Sequence, residues 1–157
     1  MQANRDIEKQ YNELKKKFKL PDFKEIDLEF EISDLDETNF LLRAIMRRIA
    51  EKLDFYTTFL GEIIQPDASN IYAIHESRFF DEEEKKQMYD FYKTLMNLNR
   101  HLVELSLEHS EKEESEFINN FFNEWKEKKR QLVRYIKKLK DSWKNDTDAE
   151  EDLGYLG

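Results

Sequence analysis

Apolar residues recur every three or four positions along most of the chain, which is the spacing of one face of an α-helix. Four segments show this spacing: residues 4–18, 36–64, 82–108 and 110–143. A helix of residues 36–64 extends over about 40 Å at 1.5 Å per residue. The pattern predicts an all-α fold, an antiparallel three- to four-helix bundle of long amphipathic helices, with the N-terminal segment as the fourth stripe.

Capping residues indicate where these helices begin and end. Proline disfavours helical backbone at the residue before it, so Leu20-Pro21 predicts the end of the first helix. Three residue pairs have the spacing of an N-terminal capping box, in which two side chains satisfy helical N–H groups. They are Asp34 with Glu37, Asp81 with Glu84, and Ser110 with Glu113.

The segment 24–33 changes to a period of two. Apolar residues alternate there with acidic ones, and they are Ile26, Leu28, Phe30 and Ile32. Strict alternation predicts a short extended segment with one buried face. Residues 70–75, which include Ile71, Tyr72 and Ile74, offer a strand to pair with it. Alternatively, another chain pairs with this segment, or it lies as a strap over the bundle.

Residues 67–81 are predicted to form a loop that is long for a connection between two helices of a bundle. The loop carries several large apolar side chains, among them Tyr72, Phe79 and Phe80. Such residues indicate that the loop either folds back onto the helices or contacts a partner. Tyr72, Phe79 and Phe80 are therefore candidate partner-binding residues.

The domain prediction separates residues 1–144, one helical-bundle domain, from residues 145–157, a flexible acidic C-terminal tail. Leu153, Tyr155 and Leu156 follow five acidic residues in that tail. Short apolar residues after an acidic spacer can dock in a groove as a linear motif, so these three are candidate partner-binding residues. The tail can also mask a basic helix, or it is an end without function.

Composition excludes several classes of protein. The 157 residues include three Gly, two Pro and no Cys, and 39% are charged. So few glycines exclude the phosphate loops of mononucleotide and dinucleotide sites. The absence of Cys excludes disulfides and thiolate metal sites. No apolar run approaches the ~20 residues of a membrane span, and the N-terminus is too polar for a secretory signal. We expect a cytoplasmic protein without a membrane span.

One segment is strongly basic. Residues 126–144 carry nine cations against two acids, a net charge of +7, interleaved with Tyr135 and Trp143. Cations with aromatic rings suit nucleic acid, an anionic membrane surface or an acidic protein partner. Internal neutralisation by acidic helices is the alternative, and the whole-chain charge of −9 disfavours a polyanion. Arg134, Lys137 and Lys138 are the candidate binding residues.

Histidine is scarce, which limits acid–base and metal chemistry. His101, Glu104 and Glu108 share one helix face, but the chain contains no Glu-x-x-His motif of a carboxylate-bridged di-iron bundle. A solvated helix face accounts for the same three residues. The sequence therefore predicts no catalytic residue, no cofactor and no metal site.

Three functional hypotheses follow. The first is a non-enzymatic adaptor or assembly subunit that binds a protein partner. The second is a nucleic-acid-associated accessory factor that uses the basic last helix, and the third is a metal-binding bundle. The last helix also has a heptad seam of the coiled-coil type, with Trp125, Leu132 and Leu139, which fits either the core or a homodimer.

Overall fold

The computed structural model describes residues 2–36 and 39–144. Within these ranges the backbone forms six α-helices and one 3-10 turn, with no strand, so the all-α prediction is confirmed. The helices are α1 Gln2–Phe18, α2 Phe23–Phe30, α3 Leu41–Ile64, α4 Ile71–Arg78, α5 Glu82–Glu108 and α6 Glu111–Lys144, and the 3-10 turn is Ile32–Asp34. The predicted tail lies outside the described residues, and so does Glu37 of one predicted capping box.

The extended segment predicted for residues 24–33 is wrong, because α2 and the 3-10 turn occupy it. The helix buries Phe23, Ile26 and Phe30, whose spacings of three and four residues define one helix face. Leu28, which completes the alternating pattern, is 82% exposed. The alternation of apolar and acidic residues thus contains a helical stripe, and Leu28 lies on its solvent side.

The start of α2 carries a signal that the periodicity obscured. The side chain of Asp22 accepts a hydrogen bond from the Lys24 N–H at 3.1 Å and forms the N-cap. Glu25 follows Asp22 by three residues, which is the capping-box spacing. The cap favours a helix from Phe23 because it satisfies a backbone donor that a helix leaves unpaired.

The interpretation of residues 70–75 as a strand is also wrong, because the helix α4 begins at Ile71. Asn70 is the N-cap of α4, and its side chain accepts a hydrogen bond from the Ala73 N–H at 3.1 Å. The predicted loop 67–81 therefore contains a two-turn helix. Its eight residues bury Ala73, His75 and Ser77.

The capping box before α5 is confirmed. The Glu84 N–H donates to Asp81 Oδ1 at 2.8 Å, and the Asp81 N–H donates to Glu84 Oε2 at 2.9 Å. At α6, the Glu113 N–H donates to Ser110 Oγ at 3.4 Å, so Ser110 caps that helix as predicted.

Three helices end on residues other than glycine in the left-handed backbone region. Lys19, Glu31 and His109 have φ values of 54°, 52° and 55°. Each donates its N–H to the carbonyl four residues earlier, at 2.8, 2.7 and 3.2 Å respectively. This bond satisfies a carbonyl of the last helical turn, which is the usual role of a left-handed C-terminal residue.

The described residues group into two compact units. The first unit comprises the residues up to Asp54 together with Asn97–Lys126, and the second comprises Phe55–Met96 together with the residues from Glu127 onward. Both units take residues from α3, α5 and α6.

In the first unit, α1 and α2 pack together with the 3-10 turn. Its core contains a cluster of aromatic rings around Phe121, whose ring centroid is 5.3 Å from that of Trp125 and 5.8 Å from that of Phe30. In the second unit, the ring centroid of Tyr135 lies 6.1 Å from that of Phe91 and 6.3 Å from that of Phe80. The predicted seam is buried in both units, at Ile118 and Trp125 in the first and at Leu132 and Leu139 in the second.

Candidate protein-binding site

The contact between α4 and the end of α6, in the second unit, holds an aromatic side chain at the surface. The Trp143 indole N–H donates to Glu76 Oε1 at 2.8 Å. The centroid of the Trp143 ring is 4.4 Å from that of His75, with the two planes tilted by 44°. Trp143 is thereby fixed on two sides while 39% of it remains exposed.

His75 also contacts the backbone of α6 next to Trp143. Its ring is buried, and Nε2 lies 3.3 Å from the carbonyl oxygen of Ser142. A carbonyl oxygen only accepts, so Nε2 carries the proton and donates. The hydrogen bond connects the middle of α4 to the residue before Trp143 and fixes the position of the indole.

Tyr72 extends the exposed surface. Its side chain is 72% exposed, and its ring centroid is 6.0 Å from that of Trp143. Ile71, which is 38% exposed, precedes it on α4. We call Ile71, Tyr72 and Trp143 the aromatic patch. Tyr and Trp combine a large apolar area with a polar end and lose little side-chain freedom on binding, which makes them common anchors of protein interfaces.

The other two candidates from the predicted loop lie differently. Phe80 is buried against Tyr135, and Phe79 is half-buried. Lys138 lies over both rings, with Nζ 5.2 Å from the Phe80 centroid and 5.8 Å from that of Phe79, and it also pairs with Glu84. Phe80 and Lys138 therefore contribute to packing within the second unit, and Tyr72 alone of the three loop candidates is fully at the surface.

Tyr135, which packs against Phe80, has a partly buried hydroxyl group. Burial raises the pKa of its hydroxyl, the charge of Glu84 raises it further, and Arg134 opposes the shift. Desolvation disfavours the phenolate, so Tyr135 serves here as a neutral ring between Phe80 and Phe91.

The remaining basic candidates form an exposed face on the last helix. Arg134 and Lys137 are exposed, and so is Lys140. Positions three residues apart are neighbours on a helix, so these three cations lie along one side of α6. Among the described residues, no carboxylate lies within ion-pairing distance of any of them, whereas Arg130 pairs with Glu127 at 3.2 Å. Leu153, Tyr155 and Leu156 lie outside the described residues.

The residues considered for metal binding lie in the first unit, on a groove between α5 and α6. His101 Nδ1 is 3.2 Å from Glu104 Oε2, and Glu108 lines the same groove. In the part of the chain that the structure describes, no three side chains of metal-ligating type converge on one point. None of the described helices is apolar enough over a sufficient length to cross a membrane.

Sequence reasoning missed the contribution of His75, Glu76 and Trp143 to this site. Trp143 fits the apolar seam of α6, which predicts burial, and α4 was not expected to be a helix. Two signals in the sequence place Tyr72 and Glu76 on one helix. One is the helical spacing of Tyr72, Glu76 and Phe79, and the other is the cap at Asn70.

Comparison of the chain with known protein families, with curated protein sequences and with solved structures finds no match.

Proposed function

We propose that this protein is a non-enzymatic adaptor or assembly subunit that captures a protein partner through the aromatic patch. The observation that carries the proposal is the exposure of Tyr72 next to Trp143, whose ring is held in place by His75 and Glu76. An aromatic ring held in place by His75 and Glu76 loses little further freedom on binding, so more of its contact energy contributes to affinity. The proposal takes the antiparallel bundle predicted from the sequence as its scaffold.

Charge next to the patch indicates the chemistry of the partner. Lys140 precedes Trp143 by one helical turn and is exposed, and Lys144 follows it directly. Lys144 has Asp141 at 3.9 Å, while Lys140 has no carboxylate within that distance among the described residues. Apolar rings bordered by cations suit an apolar peptide segment flanked by acidic residues.

Affinity purification from the native source, followed by mass spectrometry, tests this proposal. The wild type and a matched control, Tyr89→Ala, should recover the same partner, because Tyr89 is also an exposed tyrosine of the second unit. Tyr72→Ala and Trp143→Ala should not. With the purified partner, each of these two changes should weaken binding by about thirtyfold, as expected for loss of an aromatic anchor.

Equal recovery of every protein by the wild type, the control and both patch variants would contradict the proposal. Circular dichroism of each variant separates loss of binding from loss of fold.

A second candidate function, a nucleic-acid-associated accessory factor, rests on the exposed cations Arg134, Lys137 and Lys140. Lys138, which the sequence grouped with them, pairs with Glu84, so charge reversal there would disturb the fold. Binding to a single-stranded RNA or DNA oligonucleotide should fall steeply with salt and disappear in Arg134→Glu/Lys137→Glu. No binding at low salt would exclude this function.

A further inference from the structure

The groove between α5 and α6 in the first unit has acidic walls. It encloses about 380 Å³ and is lined by five glutamates: Glu104, Glu108, Glu113, Glu116 and Glu124. No Lys or Arg of the part of the chain that the structure describes lines it. Within the described residues, no cation lies within 4 Å of the carboxylates of Glu108 and Glu113, while Glu116 has Lys112 at 3.9 Å.

The floor of the groove is apolar. The rings of Phe117 and Phe121 stack with a centroid distance of 5.9 Å and an interplanar angle of 12°, and the His101 ring lies 5.4 Å from Phe117. Leu98 and Leu105 complete the floor. A cavity of this size is at the small end of ligand pockets, so it accepts individual side chains and not a whole helix. Long side chains with an apolar stem and a cationic end fit both its floor and its walls.

The same chain carries a surface of the complementary kind in its second unit. Arg134, Lys137 and Lys140 project from one side of α6, without ion partners among the described residues, and Val133 beside them is 44% exposed. Neighbouring turns of a helix present long cationic side chains about 5 Å apart. Two of them can enter the groove together while the apolar side chain covers part of its rim.

We infer that the groove binds the basic face of α6 from a second copy of this chain, with Arg134 and Lys137 entering between the glutamates. Complementary charge at the contact selects this occupant: at short range the glutamate-lined groove attracts the cations of the basic face, and this local attraction opposes the long-range repulsion between two copies that each carry a net charge of −9. The inference depends on Arg134 and Lys137, whereas the adaptor function depends on the aromatic patch and on Lys140 beside it.

Sedimentation of the purified full chain tests the inference. Self-association should depend on concentration, and its dissociation constant should rise about tenfold or more between about 50 mM and about 500 mM salt, because salt screens exposed charges. Arg134→Glu/Lys137→Glu and Glu108→Lys/Glu113→Lys should each remain monomeric. A 1:1 mixture of these two variants should associate again, because each retains the surface that the other has lost.

Two further variants make the outcome decisive. Lys86→Glu/Lys93→Glu changes the net charge as much as the basic-face variant does, but at α5 positions of the second unit, and should associate like the wild type. The chain that carries both charge reversals, in the groove and on the basic face, should regain self-association. A wild type that is monomeric at low salt overturns the inference. So does a mixture of the two variants that stays monomeric, or a basic face whose reversal abolishes only RNA binding.

Discussion

The indole N–H of Trp125, on α6, donates to Glu29 Oε2, on α2, at 2.9 Å. Trp125 is buried, so this bond satisfies a donor that water does not reach. The backbone carbonyl of the same Glu29 accepts a hydrogen bond from Lys52 on α3. One residue of a two-turn helix thus connects two long helices within the first unit.

Removal of the Glu29 side chain should be costly. Glu29→Ala leaves the buried indole N–H without this acceptor, and we expect the free energy of unfolding to fall by about 1–3 kcal/mol. Glu29→Gln keeps an acceptor oxygen and should lose clearly less. Urea denaturation of both variants, followed by tryptophan fluorescence, measures the difference. Equal losses in the two variants would show that the hydrogen bond to Trp125 contributes little.

Substitution of two aliphatic residues that lie two positions apart tests directly whether residues 23–30 form a helix. Ile26 is completely buried and Leu28 is 82% exposed. Ile26→Ala should lower the free energy of unfolding by about 2–5 kcal/mol, the usual cost of emptying a core position. Leu28→Ala should change it by about 0.5 kcal/mol or less. A strand would place both side chains on the same face, so similar losses would contradict the helix.

A buried carboxylate makes the Arg43–Glu114 pair asymmetric. Arg43 Nε lies 3.3 Å from Glu114 Oε1, and the side chain of Glu114 is 2% exposed against 27% for that of Arg43. Arg43→Met leaves the buried Glu114 carboxylate without the cation of Arg43 and should lower the free energy of unfolding by about 3 kcal/mol. Glu114→Gln should cost about 1 kcal/mol, because Arg43 still reaches solvent. Chemical denaturation of the two single variants and the double variant gives the coupling, and the reverse order of costs would contradict this account.

The raised pKa of Tyr11 leads us to expect that the protein loses stability at high pH. Its hydroxyl donates to the Pro21 carbonyl oxygen at 2.9 Å, and its side chain is buried. Burial raises the pKa of this hydroxyl well above its ordinary value of about 10, and the charge of Asp22 raises it further. Above pH 10 the unfolded chain therefore ionises Tyr11 while the folded chain keeps it protonated. The stabilising effect is complete below about pH 10 and is lost as the pH rises above that value.

The variant Tyr11→Phe isolates this effect. It keeps the ring, whose centroid is 5.4 Å from that of Phe23, and should cost about 1 kcal/mol at neutral pH because the hydrogen bond is lost. Between about pH 9 and 11 its stability should fall less steeply than that of the wild type. Thermal unfolding monitored by circular dichroism across this range provides the comparison. Parallel curves would contradict the role of Tyr11.

The sequence predicted the long helices because each repeats its apolar spacing over several turns. Leu41–Ile64 and the buried seam of α6 follow that spacing, and the Asp81–Glu84 capping box lies where the pattern placed it. Short elements were predicted less well. Eight residues can satisfy a period of two and a helical period together, and in α2 the choice depends on whether Leu28 or Phe23 is buried. Burial of Phe23 against Tyr11 of α1, with ring centroids 5.4 Å apart, favours the helix together with the local cap at Asp22.

The candidate site was predicted in part for the same reason. Tyr72 was identified because a large apolar side chain stands in a connecting segment. Trp143 is 68 positions from His75 and 67 from Glu76 along the chain, and only the folded second unit brings it to them. A tryptophan at a seam position is expected to be buried, whereas Trp143 is 39% exposed.

The left-handed residues that end α1, α2 and α5 have a consequence for engineering. A side chain with a Cβ atom costs about 1–2 kcal/mol in that backbone region, whereas glycine adopts it freely. Glycine at position 19, 31 or 109 would retain the closing N–H bond, and after allowance for the greater freedom of its unfolded chain each replacement would add about 0.5–1 kcal/mol. Heat-tolerant versions of this protein are therefore accessible at three helix ends, without any change to its core or to the surfaces proposed to bind partners.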